Sequence, residues 1–232
     1  MKLSIVVPCY NEEQNIPLIF DRFCQIIQRD DIEVIFVNNG STDQSQAILE
    51  KLCCKYSFSK VHHVQKNIGY GHGIKSGLQI ASGDYLAYTH ADMQTDPKDL
   101  LLALKIIEDH ENPNNIFVKG ERKGRPLFDQ FFTIGMSLFE TCYLKTLLWD
   151  INAQPNLFHR SFYENLHDIP DDFSLDLFLL YNAFLTKQKL IRFEVVFPKR
   201  IHGTSKWNTS FSAKWRFIKR TIQFSREMKS NI

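Results

Sequence analysis

In the run "YTHADMQTDP", His90, Asp92, Gln94 and Asp96 place an imidazole, a carboxylate, an amide and a second carboxylate at alternate positions. On an extended segment, residues two apart face the same way. His90, Asp92 and Gln94 could therefore present an imidazole nitrogen, a carboxylate oxygen and an amide oxygen to one point. Such a donor set suits a divalent cation, Mg2+ or Mn2+, with the nitrogen favouring Mn2+. A solvated turn is the plainer alternative. Asp96, followed by Pro97, reads as the cap of the next helix, whereas Asp92 reads as a ligand.

The elements that must position these groups are legible in the first half of the chain. "LSIVVP" and "EVIFVN" are continuous apolar runs, as expected of strands buried on both faces. "KVHHVQ" is a weaker third strand and "DYLAYTH" a fourth. Helical spacing fills the gaps: "NIPLIFDRFCQIIQ" with Pro17 near its start, "STDQSQAILEKLCCKY" behind capping candidates, "GHGIKSGLQIA", and "DPKDLLLALKIIED". This alternation predicts an α/β fold, a mostly parallel sheet with helices on both faces.

Ligands of such sheets sit beyond the carboxyl ends of the strands. Three of those ends are polar: "PCYNEE", "NNGSTD" and "HADMQTDP". Gathered on one edge, they would make a pocket, although "NNGSTD" alone could be a turn plus a helix cap. Beyond Gly120 the pattern loosens into a basic "GERKGRP", an aromatic-rich core helix within Phe131 to Trp149, a helix near "DFSLDLFLLYNAFLTKQ", a strand "IRFEVVFP" and a terminal helix. Nothing resembles a linker, so residues 1–232 are expected to form one domain.

Composition excludes several classes. A chain of 232 residues with 44% apolar and 23% charged residues is neither disordered nor fibrous and buries a core without staples. Five cysteines with no CxxC spacing imply buried or idle thiols in a reducing compartment. The first apolar run is too short for a signal peptide, and Glu140 and Lys145 interrupt the longest one, so a cytoplasmic protein is expected, with peripheral membrane contact at most. Net charge is +2, yet residues 206–232 hold seven Lys/Arg against one Glu, about +6, leaving about −4 for the rest. A basic tail suits an anionic surface. The glycines of "NIGYGHGIKSG" lack the first-strand context of a dinucleotide fingerprint, so an oxidoreductase is disfavoured.

Taken together, "SIVVPCYNEEQNI", "VNNGSTDQS", "NIGYGHGIKSGLQIASGDYL" and "HADMQTDP" resemble the family 2 glycosyltransferases of GT-A fold, and among them the dolichyl- and polyprenyl-phosphate sugar synthases. The resemblance runs from residue 3 to about 125, with a further match at "RIHGTSKW". It implies a nucleotide-sugar-binding half at 1–125, an acceptor half at 126–210 and a basic amphipathic helix at 211–232. It places Pro8, Tyr10 and Glu12 on the nucleotide, Asn39 in the base-holding loop, and Lys75 near the nucleotide. The third block usually begins Asp-Ala-Asp-x-Gln; here His90 replaces the first carboxylate while Ala91, Asp92 and Gln94 remain. Losing one carboxylate should weaken a hard cation unless a diphosphate supplies the missing oxygens. His90 either ligates the metal or donates to the diphosphate.

What the resemblance implies chemically is inverting, metal-dependent sugar transfer from a UDP- or GDP-sugar, the cation stabilising the departing phosphate. A hydroxyl acceptor needs a general base, for which Asp150 is the best candidate; a phosphate acceptor does not. Arg122, Arg125, Arg200, Ser205 and Lys206 suit an anionic acceptor such as polyprenyl phosphate, or else form a solvated basic surface. The terminal helix, with Phe211, Trp215, Ile218 and Ile222 at helical spacing and Lys214, Lys219, Arg220 and Arg226 elsewhere, suits either a membrane interface or packing on the domain. Transfer to a hydroxyl of a cell-surface polysaccharide or lipid intermediate, and an impaired sugar-nucleotide-binding subunit, are the alternatives, and no nucleic-acid partner is expected.

Overall fold

The structure, a computed structural model, describes residues 2–124, 127–198, 200–202 and 211–230. Its sheet has seven strands in the order β3-β2-β1-β4-β6-β5-β7. They are β1 (Leu3–Cys9), β2 (Ile32–Asn39), β3 (Ser59–Val64), β4 (Tyr85–Tyr88), β5 (Ile116–Lys123), β6 (Asn156–His159) and β7 (Lys189–Val196). β1 pairs in parallel with β2 and β4, and β2 with β3. Among the described strands β6 alone runs backwards, antiparallel to both β4 and β5, and β7 returns parallel to β5. The helices are α1 (Ile16–Ile26), α2 (Ser45–Cys53), α3 (Tyr70–Ile80), α4 (Lys98–Glu108), α5 (Leu127–Leu144), α6 (Arg160–Glu164), α7 (Leu175–Leu185) and α8 (Phe211–Ser230).

The alternation along β1 explains both layers. Leu3, Ile5, Val7 and Cys9 face one core with Ile16, Phe20 and Phe23 of α1, Leu49 of α2 and Leu104 of α4. Val6 faces the other, with Ile74 and Leu78 of α3, Leu175 and Leu179 of α7 and Met228 of α8. Burial on both faces is why these strands read as unbroken apolar runs. At the chain reversal after β2, Gly40 has φ +70°, and a Cβ there would lie 2.5 Å from the Asn67 nitrogen. Only glycine fits such a turn.

The second half departs from the sequence expectation. β5 and β6 carry no long apolar run, and neither is anticipated from the sequence. The helix within Phe131 to Trp149 ends at Leu144. It buries Ser137, Glu140 and Leu144 while Ile134 and Leu138 stay exposed, as does Leu147 beyond its end. α8 lies against α5 and the start of α7. Ser225 Oγ sits 2.7 Å from Glu140 Oε2, and Arg220 Nε reaches Asp172 Oδ2 at 3.0 Å. Of its expected apolar stripe, Trp215 is exposed and Ile218 and Ile222 are half-buried. Among the described residues, no helix is long and apolar enough to cross a membrane. Cys9 and Cys53 are buried, Cys24 is half-buried, and Cys54 and Cys142 are exposed.

Candidate functional site

The β1 and β2 loops are laced together at the carboxyl edge of the sheet. Asn11, at φ 56°, donates its backbone N–H to Ser41 Oγ at 3.1 Å and accepts from Thr42 N at 2.8 Å. Glu12 N donates to Ser45 Oγ at 2.9 Å, and its carboxylate accepts from Asn15 Nδ2 at 2.6 Å. Pro8 and Tyr10 are half-buried on the same edge. Asn39 turns inward: it is 3% exposed and its Nδ2 donates to Gly69 O at 2.9 Å. Its Oδ1 is buried with no hydrogen-bond partner. Lys75 points across α3 to the segment before α7, where it pairs with Asp171 Oδ1 at 2.7 Å and donates to Ile169 O at 2.7 Å.

The β4 loop is not extended through His90, Asp92 and Gln94. Met93 takes φ 59°, a left-handed turn, and Gln94 N donates to Asp92 Oδ1 at 3.1 Å. The side-chain oxygens of Asp92 and Gln94 converge nonetheless, because a side chain that accepts from the backbone two residues on closes a tight turn. Both oxygens meet Arg200. Its Nη2 lies 2.8 Å from Asp92 Oδ2, and its Nε donates to Gln94 Oε1 at 2.8 Å. Asp92 is only 3% exposed. Ala91 packs beneath it in the core. Asp96 accepts from Lys98 N at 2.9 Å at the mouth of α4, as a cap would, and is forked by Arg22 at 2.8 Å.

His90 lies against Tyr70, ring centroids 5.5 Å apart, and Tyr70 stacks in turn on Phe173 at 4.9 Å. Burial pulls the imidazole below its ordinary value, Asp92 and Asp176 pull it up, and Arg200 and Arg122 oppose them; the balance is downward. His90, Asp92, Arg122 and Arg200 thus share one electrostatic neighbourhood. Arg122 is committed to Asp150: its backbone N–H and Nε each donate to that carboxylate at 2.9 Å, and its Nη2 also bonds it. Burial alone would raise the Asp150 carboxyl, yet the Arg122 charge outweighs it and holds the group below the usual range. A carboxylate so engaged is a poor proton acceptor. Arg125, Ser205 and Lys206 lie outside the described residues.

Sequence reasoning missed a buried polar network behind His90. Asp176 Oδ1 accepts from Tyr88 Oη at 2.7 Å, Gln154 Nε2 at 3.0 Å and Asn156 Nδ2 at 3.4 Å. Gln154 Nε2 also reaches Tyr70 Oη at 3.1 Å. Lys119, fully buried, donates to Asn156 Oδ1 and Ala153 O at 2.7 Å, and burial pulls its amine down to about 7. The signal was present: Asp176 is the one charged residue in "LDLFLLYNAFL", and Lys119 interrupts "IFVKG". Charges inside apolar elements need buried partners.

The donors around Asp92 fit a divalent cation in kind, two oxygens and a neighbouring imidazole nitrogen. They are too few to enclose one. Among the described residues, no group of three or more His, Cys, Asp or Glu side chains is arranged to hold a metal ion.

The family description Glycosyl transferase family 2 matches residues 4–167. An uncharacterized glycosyltransferase, YkcC, of Bacillus subtilis is 32% identical over 132 residues, 55% of this chain and 40% of that protein. The dolichol-phosphate mannosyltransferase of Pyrococcus furiosus is 31% identical over 125 residues, 52% of this chain and 34% of that one. Human dolichyl-phosphate beta-glucosyltransferase is 33% identical over 108 residues, 43% of this chain and 33% of that one. These matches thus span two fifths or less of the relatives' own length. Among solved structures, glucosyl-3-phosphoglycerate synthase of Mycobacterium tuberculosis with UDP superposes at TM-score 0.74 and 17% identity, covering 95% of this chain and 77% of that one. A mannosyltransferase of Pyrobaculum calidifontis with GDP-Man and Mn2+ gives 0.65 and 21%, covering 86% and 58%. At such identities the likeness is one of fold, and that fold is GT-A.

Proposed function

The chain belongs to glycosyl transferase family 2, and on that premise we propose that it moves a sugar, with inversion, from a UDP- or GDP-sugar to polyprenyl or dolichyl phosphate at the cytoplasmic membrane face. The observation that carries this reading is the convergence of Asp92 Oδ2 and Gln94 Oε1 at the carboxyl edge of the parallel strands, each 2.8 Å from Arg200. Asp92 and Gln94, with His90 beside them, would hold Mg2+ or Mn2+, which when bound supplies charge to the departing diphosphate. Pro8, Tyr10 and Glu12 stand on the nucleotide side. Asn39 supports the base-holding loop from inside, through Gly69, and Lys75 fixes α3 against the segment that carries Phe173.

The acceptor reading rests on charge. Arg200 offers positive charge to an anionic nucleophile, Arg125, Ser205 and Lys206 are assigned to the same acceptor on the sequence alone, and Arg122 has its charge balanced by Asp150. A phosphate attacks the anomeric carbon without giving up a proton, so the engagement of Asp150 costs the reaction nothing. Transfer to a hydroxyl lacks that support. The names of relatives acting on dolichyl and dolichol phosphate favour the same acceptor class, and the basic α8 is suited to an anionic lipid surface.

A thermal-shift panel of uridine and guanosine diphosphates and their sugars, with Mg2+ or Mn2+, tests the site. One nucleotide should stabilise the protein in a metal-dependent way, and Asp92→Ala should remove the metal-dependent part. An unchanged shift in that variant would place the cation elsewhere.

A further inference from the structure

Asp92 combines two properties that conflict: it is 3% exposed and it carries a carboxylate. A buried carboxylate without a compensating cation is strongly disfavoured. The compensation here is internal. Arg200 holds Asp92 Oδ2 through Nη2 and Gln94 Oε1 through Nε, both at 2.8 Å, so one planar fork engages both oxygens proposed above as cation ligands. The fork is set from two sides. Gln94 Nε2 donates to Pro198 O at 3.1 Å, and Phe197 N donates to Lys123 O at 3.2 Å while its ring lies 5.2 Å from the Arg122 guanidinium.

A divalent cation on either oxygen would stand within a few ångströms of the guanidinium, at a low effective dielectric, where like charges repel strongly. The two cations therefore exclude one another. Charge counting then fixes the order of events. Exchanging Arg200 for a metal alone leaves the site with excess positive charge. A diphosphate arriving with the metal cancels that excess and offers the freed guanidinium a new anionic partner.

We propose that Arg200 is an exchangeable internal cation of this site, occupying the Asp92–Gln94 pair until a metal–diphosphate pair displaces it onto the diphosphate. The proposal rests on the sugar-nucleotide reading above. By linkage, the nucleotide must raise the affinity for metal by the same factor as metal raises the affinity for nucleotide. Arg200 sets the size of that factor.

Mn2+ binding, followed by the electron paramagnetic resonance of the free ion, tests this without turnover. In wild-type protein without nucleotide, Mn2+ should bind weakly. Arg200→Met, which keeps the stem and removes the charge, and Arg200→Ala should each bind Mn2+ without nucleotide roughly tenfold more tightly or better. Arg200→Lys, which keeps the charge, should stay near wild type. Adding Asp92→Asn to Arg200→Met should abolish the gain. Circular dichroism melts establish that each variant is folded. Unchanged or weaker Mn2+ binding in both charge-removing variants would overturn the exchange while leaving the site assignment intact. Mn2+ binding in the presence of UDP or GDP that ignores Asp92→Asn would instead overturn the site assignment, and the exchange with it.

Discussion

Arg122 shows how far a side chain's environment can depart from what its sequence neighbourhood implies. The glycine-rich, basic stretch around it suggests a free phosphate-binding arm, yet its side chain is 9% exposed and neutralised by Asp150, 28 positions away. Removing one member of such a buried pair leaves the other charge uncompensated, at a cost of about 3–5 kcal/mol. Asp150→Ala should therefore lower the urea midpoint by that equivalent, whereas Asp150→Asn, which still accepts a hydrogen bond, should lose less. A loss below about 1 kcal/mol for Asp150→Ala would mean that the pair behaves as a surface contact. The pairing could not be read from the sequence, because only the fold brings the end of β5 to residue 150. Asp92 and Gln94, by contrast, were legible from their spacing, although the left-handed turn at Met93 that makes them converge was not.

The packing of α5 against α8 turns on one carboxyl. Glu140 is fully buried, and burial pushes its carboxyl up to about 7. Ser225 Oγ lies 2.7 Å from Glu140 Oε2 and 2.9 Å from Thr221 O, and its single proton can serve only one of them. A protonated Glu140 donating to Ser225 Oγ satisfies both. The folded state therefore holds this proton more tightly than the unfolded chain, and the contribution is fully present below the ordinary glutamate value of 4.5 and is lost as pH rises toward 7. The loss amounts to about 2 kcal/mol after allowing for relaxation. Melts across that window should show Glu140→Gln flattening the slope relative to wild type; parallel curves would refute the assignment. Sequence reading weakened among the strands, at β5 and β6. β1, β2 and β4 are buried on both faces and announce themselves as apolar runs. β6 has four residues, and β5 breaks its apolar run at Lys119. Both are defined by their partners rather than by their own composition.

At the scale of the molecule, the sheet joins a parallel block, β3-β2-β1-β4, to a second pair, β5 and β7, through the one reversed strand β6. The first block positions the β1, β2 and β4 loops. The second delivers Arg122 and, beyond β7, Arg200. The strands of the parallel block were readable in their succession along the chain and nearly in extent, because helix and strand periods alternate cleanly there, but their order in the sheet was not. The seam was not, because an antiparallel insertion between parallel strands leaves no period of its own. The division also gives meaning to Cys9, which ends β1 beneath the β1 and β2 loops. Its thiol is completely enclosed and raised well above its ordinary value by burial, with Glu12 adding to the effect. Cys54 and Cys142 stand in solvent. A disulfide exchange reagent should consume those two within its mixing time and reach Cys9 only when β1 and β2 part. If the proposed nucleotide binds this edge, it should lengthen the lifetime of Cys9 while sparing the outer thiols, so that one native sulfur times the breathing of the β1–β2 edge without any added label. Equal rates at Cys9 and Cys54 would show that this edge opens freely.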